Sequence, residues 1–326
     1  MAGRSLLVTG ATGSFGPAFL LAALASGVTR VVAFSRDELK QAHLAAEIPD
    51  ARMRWFIGDV RDANRLAWAM RGVDVVVHAA AMKRIEVCEA NPAEAVRTNV
   101  LGTLNVAQAA ILAGVEQAVF LSTDKAPNAA TLYGATKLCA ERLWVQSNVY
   151  AAGTGTRLSA VRYGNVIGSR GSVLELFRRQ YALGVPLTLT DERMSRFWLT
   201  LTDAVQLVLT ALRGMGGGEI FVPKAGSCSL LDFARAVVEG NGLYAPGHVV
   251  TGLRATERMH ETLIASDEAG RTYDAGTHFV IAPEAQSWGA VSSSPWPRVP
   301  DGFKYTSDGN PQQLSVADLQ RMMATC

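Results

Sequence analysis

The stretch TGATGSFG, Thr9–Gly16, decides the fold class of this chain. It follows an apolar run, Ser5–Thr9, that predicts a β-strand, and it leads into a helix-like segment, Phe15–Ala25. Glycine lets a backbone approach a pyrophosphate closely, and the free N–H groups at a helix start attract the anion. The GxxGxxG spacing also occurs in plain strand–helix connections, but its place after the first strand favours dinucleotide binding. The residues predicted to contact the cofactor are Gly10, Thr12, Gly13, Ser14, Phe15 and Gly16.

Strand-like and helix-like segments alternate through the first half of the chain. The predicted strands are Ser5–Thr9, Arg30–Phe34, Met53–Ile57, Asp74–His78 and Ala118–Ser122. The predicted helices are Phe15–Ala25, Asp37–Glu47, Asn64–Met70 and Pro92–Ala113. This alternation predicts an α/β fold with a Rossmann-type, doubly wound parallel sheet. Ligands bind such sheets at the carboxyl ends of the strands, so we expect functional residues directly after the strands.

Composition excludes several classes of protein. The chain has 326 residues, of which 49% are hydrophobic and 18% charged, so it can bury a core and is not disordered. A formal net charge of +2 without a basic stripe argues against nucleic-acid binding. No apolar run approaches the roughly 20 residues of a membrane span. The four cysteines include no CxxC pair and the five histidines no HExxH pair, so we expect free thiols, no metal and a cytoplasmic protein.

The end of the second predicted strand bears on the choice of cofactor. An acidic residue at this position usually selects NAD, because it accepts hydrogen bonds from the ribose hydroxyls. Here Ser35 and Arg36 take the position, and Lys40 follows one helical turn later. Two cations and a hydroxyl suit a 2′-phosphate, which favours NADP; the alternative is a solvated helix start.

Two further strand ends carry candidate contacts. Asp59 and Val60 follow the third strand, where a carboxylate can meet the adenine amine. Lys83 lies beyond the fourth strand and is a candidate for a phosphate or sugar contact, or else a surface charge. The small residues directly after that strand let a cofactor lie against the strand ends; they are Ala79, Ala80 and Ala81.

The segment after the fifth predicted strand carries the residues best suited to catalysis. Tyr133 and Lys137 are four residues apart, so on a helix both side chains lie on the same face. An ammonium beside a phenol lowers the pKa of the phenol towards that of a general base. Asp124 and Lys125 lie at the strand end, where an acid and an amine together can protonate a leaving hydroxyl and remove a carbon-bound proton. The alternative for this pair is a charged surface turn.

With these residues the chain resembles the extended short-chain dehydrogenase/reductase family, and within it the soluble, inverting UDP-N-acetylglucosamine 4,6-dehydratases of bacterial surface-sugar pathways. The likeness covers nearly the whole chain, and TDK (123–125) together with YGATK (133–137) is its most specific element. The other segments that carry it are TGATGSFG, SRDELK (35–40), RYGNVIGSRG (162–171), MSRFWL (194–199), GEIFVPK (218–224), GLRATERMHE (252–261) and FKYTSD (303–308).

The resemblance implies an NADP-dependent lyase that acts on UDP-N-acetylglucosamine or a related UDP-sugar. Tyr133 would take the proton of the sugar 4-hydroxyl while a hydride passes to NADP, and Lys137 would hold the nicotinamide ribose. Lys125 would then remove the carbon-5 proton, Asp124 would protonate the departing 6-hydroxyl, and the hydride would return to carbon 6. Thr123 would help to orient the sugar. Return of the proton from the opposite face would invert carbon 5.

The same resemblance implies how the substrate is held. Arginine suits a pyrophosphate because its guanidinium binds two oxygens at once, and a glutamate can accept from ribose hydroxyls. The chain departs from the family pattern at Ala255-Thr256, where Pro-Gly is usual, and around Lys83, close to the presumed sugar. The residues implied to bind the substrate are Lys83, Asn165, Arg196, Arg254 and Glu257.

A two-lobed organisation is expected. Residues 1–165 form the NADP-binding Rossmann domain, with a return segment at about 195–215, and residues 166–326 form a smaller, mainly substrate-binding C-terminal lobe. The long segments Pro92–Ala113 and Tyr133–Tyr150 are expected to be helices with apolar faces, which commonly pair across a two-fold axis in this fold. We therefore expect a homo-oligomer, either a dimer or the hexamer that the resembled family also forms.

Two other functions remain open from the sequence. A UDP-N-acetylhexosamine 4-epimerase needs Tyr133, Lys137 and the cofactor, but it does not need Asp124 and Lys125. A nucleotide-sensing binding protein that had lost the chemistry would lack the tyrosine and lysine, and both are present.

Overall fold

The first half of the chain alternates between strands and helices in the computed structural model, which describes residues 1–240, 247–254, 256–284 and 295–326. All five predicted strands are confirmed, with ends within one residue of the prediction. The elements are β1 (Ser5–Thr9), α1 (Gly16–Ala25), β2 (Arg30–Ser35), α2 (Glu38–Glu47), β3 (Met53–Ile57), α3 (Ala63–Ala69), β4 (Val75–His78), α4 (Ile85–Ala90), α5 (Pro92–Val96), α6 (Gly102–Leu112), β5 (Gln117–Thr123) and α7 (Leu132–Gln146).

The segment predicted as one helix over Pro92–Ala113 is divided, and α4 before it was not predicted. A π-helical turn, Arg97–Leu101, separates α5 from α6. This wide turn contains the buried Asn99, whose amide nitrogen donates to the Met82 carbonyl at 3.0 Å and to the Thr136 hydroxyl at 3.1 Å. The turn therefore ties the segment after β4 to α7, a contact between distant segments that helical periodicity does not reveal.

Shorter elements make up the second half of the chain, in agreement with its looser sequence pattern. They are β6 (Arg157–Tyr163), β7 (Asn165–Val166), α8 (Val173–Ala182), β8 (Leu187–Leu189), β9 (Ser195–Leu199), α9 (Leu201–Gly214), β10 (Ile220–Pro223), β11 (Gly226–Ser229), α10 (Leu230–Glu239), β12 (His248–Val250), β13 (Thr262–Ile264), β14 (Thr272–Asp274), β15 (His278–Ile281), β16 (Tyr305–Thr306) and α11 (Val316–Met323).

Among the described residues, nine strands form the central sheet in the order β14-β15-β10-β6-β5-β4-β1-β2-β3. The strands from β10 to β3 are parallel, and β15 runs antiparallel to both of its neighbours. The chain order reverses at β1, with β2 on one side and β4 on the other, so the sheet is doubly wound as predicted. A crevice for a ligand is expected where the carboxyl ends of β1 and β4 lie side by side.

The described part of the second half of the chain also forms three small sheets, β11-β9-β7, β12-β8 and β13-β16. Helix α9, within the range expected to be the return segment, packs on β5 and β6. The central sheet also takes β10, β14 and β15 from beyond residue 215, inside the range expected to form the second lobe. These strands are short, and the pairing of β10 with the edge of β6 is a tertiary contact that no local pattern specifies. Among the described residues, no helix combines the length and the apolar character needed to cross a bilayer.

Packing on one face of the sheet places α7. The fully buried Trp144 of α7 donates from its indole nitrogen to the Ser159 carbonyl at 3.0 Å. Its ring lies 5.7 Å from the ring of Phe120 and 5.6 Å from that of His78. Burial of such a large side chain contributes on the order of 3 kcal/mol. The C-terminal part of α7 is thereby held against β5 and β6.

A buried ionic cluster joins α7 to the C-terminal half of the chain. The guanidinium of Arg162 donates to Glu141 of α7 at 3.0 and 2.5 Å and to Glu268 at 2.8 and 2.9 Å. It also donates to the Leu263 carbonyl of β13 at 2.9 Å. The desolvation of these charges offsets much of their attraction, so the cluster fixes the position of β13 more than it stabilises the fold.

Candidate active site

The glycine turn between β1 and α1 lies against the end of β4, at the point where the strand order reverses. Gly10 has a φ of +66°, and a Cβ at this position would lie 2.8 Å from the Ala80 backbone nitrogen and 2.9 Å from the Ala79 carbonyl oxygen. A Cβ at Gly16 would lie 1.9 Å from the carbonyl oxygen of Ala11. Side chains are therefore excluded at both positions, which gives the close backbone packing of a pyrophosphate-binding turn.

Three residues predicted to contact the cofactor have side chains that the fold already uses. The Phe15 ring stacks on Phe19, with centroids 5.2 Å apart, and Val60 is buried in the core. The buried Ser35 hydroxyl accepts a hydrogen bond from the Gln41 amide at 2.9 Å. The side chains of Phe15 and Val60 pack in the core, and the Ser35 hydroxyl binds a residue of α2. A sequence motif does not show these contacts.

The charged residues after β2 remain on the surface. Arg36 and Lys40 are more than half exposed, and each is paired with a carboxylate. Arg36 Nη1 lies 3.6 Å from Asp59 Oδ2, and Lys40 Nζ lies 2.7 Å from Asp37 Oδ2. Both cations therefore lie at the protein surface at the end of β2, each with a carboxylate partner.

A loop from the second half of the chain lies across the glycine turn. The Arg170 guanidinium donates to the Thr12 carbonyl, and the Arg170 backbone N–H donates to the Ser14 hydroxyl at 3.1 Å. Lys83 Nζ donates to the Arg170 carbonyl at 2.9 Å. Lys83, a candidate for a phosphate or sugar contact, therefore lies beside the glycine turn. Arg170 was not predicted, although it belongs to the quoted segment RYGNVIGSRG.

Thr123, Asp124 and Lys125 form a connected group at the carboxyl end of β5. The Oδ1 atom of Asp124 accepts from the Thr123 hydroxyl at 2.9 Å and from Lys125 Nζ at 3.0 Å. The Oδ2 atom is buried and has no hydrogen-bond partner in the described part of the chain. Burial raises the pKa of Asp124 above its ordinary value. Asp124 is 1% exposed, so a charged surface turn does not describe this pair.

Lys125 is surrounded by oxygen atoms from three segments. Its Nζ lies 3.0 Å from Asp124 Oδ1, 3.3 Å from Glu261 Oε1 and 3.5 Å from Asn165 Oδ1. Burial works against the charge, but the two carboxylates outweigh it and raise the pKa of Lys125. Lys125 is therefore an ammonium in this arrangement.

Tyr133 lies beside this group, at the start of α7. The Thr131 hydroxyl accepts the Gly134 N–H at 3.0 Å and caps the helix. A Cβ at Gly134 would lie 2.4 Å from the Lys125 carbonyl oxygen, so glycine allows α7 to begin this close to β5. Burial raises the pKa of Tyr133 to about 12, an effect that Lys125 and the Thr123 hydroxyl partly offset.

Lys137 corrects one expectation from the sequence. Its Nζ donates to the Leu121 carbonyl at 2.7 Å and lies 3.9 Å from the centroid of the Phe120 ring. Burial lowers the pKa of Lys137 to about 7. The cation that acts on the phenol of Tyr133 is Lys125, and the pKa of Tyr133 moves up instead of down because burial disfavours the phenolate.

Two residues from the second half of the chain complete the surroundings of Lys125. Arg196 of β9 is buried, with its Nε 3.5 Å from Glu261 Oε1, and it donates to the carbonyls of Met259 and Arg258 at 3.1 Å each. Arg196 was expected to bind the UDP moiety. In the structure it also lies beside the acid–base group, which is formed by Asp124, Lys125 and Glu261. Glu261 is 3% exposed and was not predicted, although it ends the quoted segment GLRATERMHE.

The remaining predicted substrate residues fall in different places. Asn165, the first residue of β7, lies beside Lys125, with its Oδ1 3.5 Å from Nζ. Glu257 lies 3.7 Å from Arg196 Nη2, and its Oε1 is 3.4 Å from the Thr190 hydroxyl. Arg254 is exposed, and Ala255 beside it lies outside the described residues.

The fold and the site together assign the chain to a protein superfamily. The chain is an extended short-chain dehydrogenase/reductase, with a doubly wound sheet, a glycine turn after β1, and Tyr133 and Lys137 on one helix beside the Asp124–Lys125 pair. More narrowly, it belongs to the polysaccharide biosynthesis protein family, whose model matches residues 6–283.

Relatives with assigned activities are similar over most of the chain. A protein of Campylobacter jejuni subsp. jejuni (strain 81-176), named UDP-N-acetylglucosamine 4,6-dehydratase (inverting), is 43% identical over 327 residues, which cover 97% of this chain and 96% of that one. A UDP-glucose 4-epimerase of Rickettsia akari is 38% identical over 282 residues, 85% of this chain and 82% of that one.

Solved structures confirm the fold class. Pen from Bacillus thuringiensis superimposes with a TM-score of 0.91 at 35% identity, covering 100% of this chain and 99% of that one. DesIV, a dTDP-glucose 4,6-dehydratase from Streptomyces venezuelae with NAD and TYD bound, gives a TM-score of 0.70 at 25% identity, covering 78% and 86%. Structural neighbours of this chain thus bind a nicotinamide dinucleotide.

Proposed function

We propose that this chain is an NADP-dependent UDP-N-acetylglucosamine 4,6-dehydratase that inverts carbon 5 of the sugar. The observation that carries the proposal is the buried Asp124 with Lys125 Nζ 3.0 Å away, at the end of β5 and beside Tyr133. Elimination of water needs an acid and a base in addition to the tyrosine, whereas 4-epimerisation does not. The name and the identity of the Campylobacter jejuni relative support the substrate and the inversion.

The cofactor proposed for the glycine turn is NADP. The turn fits a dinucleotide because a Cβ at Gly10 or Gly16 would strike backbone atoms, as expected where a backbone must approach a pyrophosphate. The NAD in the Streptomyces venezuelae structure supports a nicotinamide dinucleotide. Arg36 and Lys40, exposed after β2, are the cations proposed to bind a 2′-phosphate, which is why we choose NADP over NAD.

Tyr133 is proposed to accept the proton of the sugar 4-hydroxyl. The phenol must ionise to do so, and Lys125 is the nearby cation that favours the phenolate. Lys137 is proposed to hold the nicotinamide ribose. The chemistry that NADP supplies when bound is reversible hydride acceptance, so carbon 4 can be oxidised first and carbon 6 reduced last without net oxidation.

Asp124 and Lys125 are proposed to carry out the elimination. A ketone at carbon 4 acidifies the proton on carbon 5, and Lys125 takes that proton as the free amine, after its ammonium has released a proton to solvent. The electron pair of the broken C–H bond is first held as an enolate with the carbon-4 ketone, and it forms the double bond between carbons 5 and 6 when the carbon 6–oxygen bond breaks. Asp124 protonates the departing hydroxyl, which leaves as water, and Thr123 orients the group through its bond to Asp124. Water leaves the sugar and is not added back, so the proposed reaction is that of a lyase.

The two halves of the chain are proposed to bind different ligands. Residues 1–165 with the return segment at about 195–215 bind the dinucleotide, and residues 166–326 mainly bind the UDP-sugar. Arg196, Arg254 and Glu257 are proposed to hold the UDP moiety, with Asn165 nearer to the sugar. Lys83, which lies beside the glycine turn through its bond to Arg170, is proposed to contact a phosphate.

We also retain the proposal of a homo-oligomer, a dimer or a hexamer. Support comes from apolar side chains that stand exposed around α6 and just after α7. Leu101 is 49% exposed, Leu112 87% and Tyr150 71%. Exposed apolar side chains favour burial against a second copy.

Proton NMR of the purified protein with UDP-N-acetylglucosamine in heavy water, without added reductant, tests the proposed reaction. We expect a new methyl signal with deuterium at carbon 5, and ring couplings that show inversion at that carbon. A methyl signal with retained configuration would contradict the inversion alone. Conversion to UDP-N-acetylgalactosamine without a methyl signal would favour the epimerase, which the Rickettsia akari relative keeps as the second candidate. An unchanged spectrum would mean that this sugar nucleotide is not the substrate.

A further inference from the structure

Two buried carboxyl groups share the ammonium of Lys125. Asp124 Oδ1 lies 3.0 Å from Nζ and Glu261 Oε1 lies 3.3 Å from it. Asp124 follows β5, whereas Glu261 precedes β13, so the two carboxyls reach the ammonium from segments far apart in the chain. Two carboxylates this close to one cation in a buried site repel each other, and such pairs keep a proton on one member.

The surroundings decide which carboxyl keeps the proton. Glu261 faces two guanidinium groups besides Lys125, because Arg196 Nε lies 3.5 Å from its Oε1 and Arg258 adds positive charge. Asp124 has Lys125 as its cation, and its buried Oδ2 has no hydrogen-bond partner among the described residues. The charged and titratable groups around the two carboxyls are Lys125, Tyr133, Arg196, Glu257, Arg258 and His260.

The placement of Oδ2 also favours a proton on this atom of Asp124. Both donors that reach the carboxyl, the Thr123 hydroxyl and Lys125 Nζ, bind Oδ1 and leave Oδ2 free to donate. The missing side chain of Gly164 leaves Oδ2 uncrowded on one side, since a Cβ there would lie 3.3 Å from it. A protonated Oδ2 therefore has a hydrogen to donate and no acceptor that already takes it in the described part of the chain.

We infer that Glu261 is a positioning residue that keeps Asp124 in its protonated, proton-donating form. Glu261 is the standing anion of the site and balances Lys125, while Glu257 lies 3.7 Å from Arg196. Asp124 therefore need not ionise to balance these cations. This inference rests on the proposed function, in which Asp124 protonates the departing 6-hydroxyl. Without the carboxylate of Glu261, Asp124 becomes the sole counter-ion of Lys125 and loses the proton that it must donate.

Glu261→Gln tests the inference, because it removes the charge and keeps the shape. Carbon-5 exchange, which depends on Lys125, should persist, so recovered UDP-N-acetylglucosamine should carry deuterium at carbon 5. Methyl product should form more slowly at neutral pH, by about tenfold for each unit by which the pKa of Asp124 falls below that pH. The remaining dehydration should recover towards acidic pH, and Glu261→Asp should restore much of it.

Glu268→Gln is the matched control. Glu268 is also a buried, arginine-paired carboxylate, but its partner is Arg162, outside the acid–base group. This variant should lose stability without changing the ratio of exchange to dehydration. If Glu261→Gln lowers exchange and dehydration equally, with no acidic shift of the pH profile, Glu261 is only structural and the inference is wrong.

Infrared difference spectroscopy provides a test that does not depend on the folding of the Gln variant. The wild-type protein at neutral pH should show the band of a buried protonated carboxyl that is missing from Asp124→Asn. If that band is absent from the wild type, Asp124 is ionised and the inference is overturned. Failure of the wild type to form methyl product would instead contradict the proposed function, and the infrared result would still stand.

Discussion

The glycine turn and the acid–base group around Lys125 are built in opposite ways. The turn is one continuous stretch, Thr9–Gly16, whose geometry depends on backbone atoms and on the absence of side chains. The acid–base group takes Asp124, Lys125 and Glu261 from two separate segments, with Arg196 beside it from a third, and depends on charged side chains. A site made of backbone atoms can therefore be predicted from a local motif, whereas a cluster of side chains forms only when distant segments pack together.

Lys125→Ala should have the largest effect on the side-chain cluster. Loss of the proposed base should abolish carbon-5 deuterium exchange and lower dehydration by about 10³-fold, while NADP still binds. Exchange is followed by NMR and cofactor binding by fluorescence. Lys224→Ala is the control, because Lys224 pairs with Asp274 outside the site and its loss should leave exchange unchanged. Undiminished exchange in Lys125→Ala would remove this residue from the mechanism.

Gly16→Ala should break the backbone site and leave the side-chain cluster intact. The added Cβ would meet the Ala11 carbonyl oxygen at 1.9 Å, so the turn must move at a cost of about 1–3 kcal/mol. We expect weaker NADP binding by calorimetry and a lower melting temperature. Gly270→Ala is the control, since a Cβ there meets nothing within 4 Å. Equal affinities in the two variants would contradict the assignment of the turn.

Arg36→Ala should have a smaller and more selective effect. A charge-assisted hydrogen bond to a 2′-phosphate contributes about 1.5–3 kcal/mol, so NADP affinity should fall by about tenfold or more. NAD affinity should change little, because NAD lacks that phosphate. Arg321→Ala, another exposed arginine paired with an aspartate, should alter neither affinity. An equal loss for both cofactors would show that Arg36 does not recognise the 2′-phosphate.

Lys137→Met should have the smallest effect, seen in stability against pH. Burial lowers the pKa of Lys137 from 10.5 to about 7, so between these values the unfolded chain binds more protons than the folded one. The free energy of unfolding of the cofactor-free protein should therefore rise with pH from about pH 7 towards pH 10. In Lys137→Met, denaturant titrations should show a shallower rise. An unchanged slope would mean that Lys137 keeps its ordinary pKa.

The contrast between the two regions also explains which predictions from the sequence succeeded. The five strands and the glycine turn were predicted well because alternation of apolar runs and glycine spacing are local properties. The division of the helix at Arg97–Leu101 was missed because it follows from contacts of Asn99 with distant segments. Glu261 and Arg170 lay inside quoted motifs, yet nothing in their local sequence shows that they reach Lys125 and the glycine turn.

The order of residues alone was enough to predict the α/β class, the glycine turn, and the presence of an acid, an amine, a tyrosine and a lysine after the fifth strand. The charge state of these groups depends on how the chain packs. Burial moves the pKa of Lys137 to about 7 and that of Tyr133 to about 12, and Glu261 with Asp124 raises the pKa of Lys125. Residue type sets the ordinary pKa, but desolvation and neighbouring charges shift it, and both arise only when distant segments pack together.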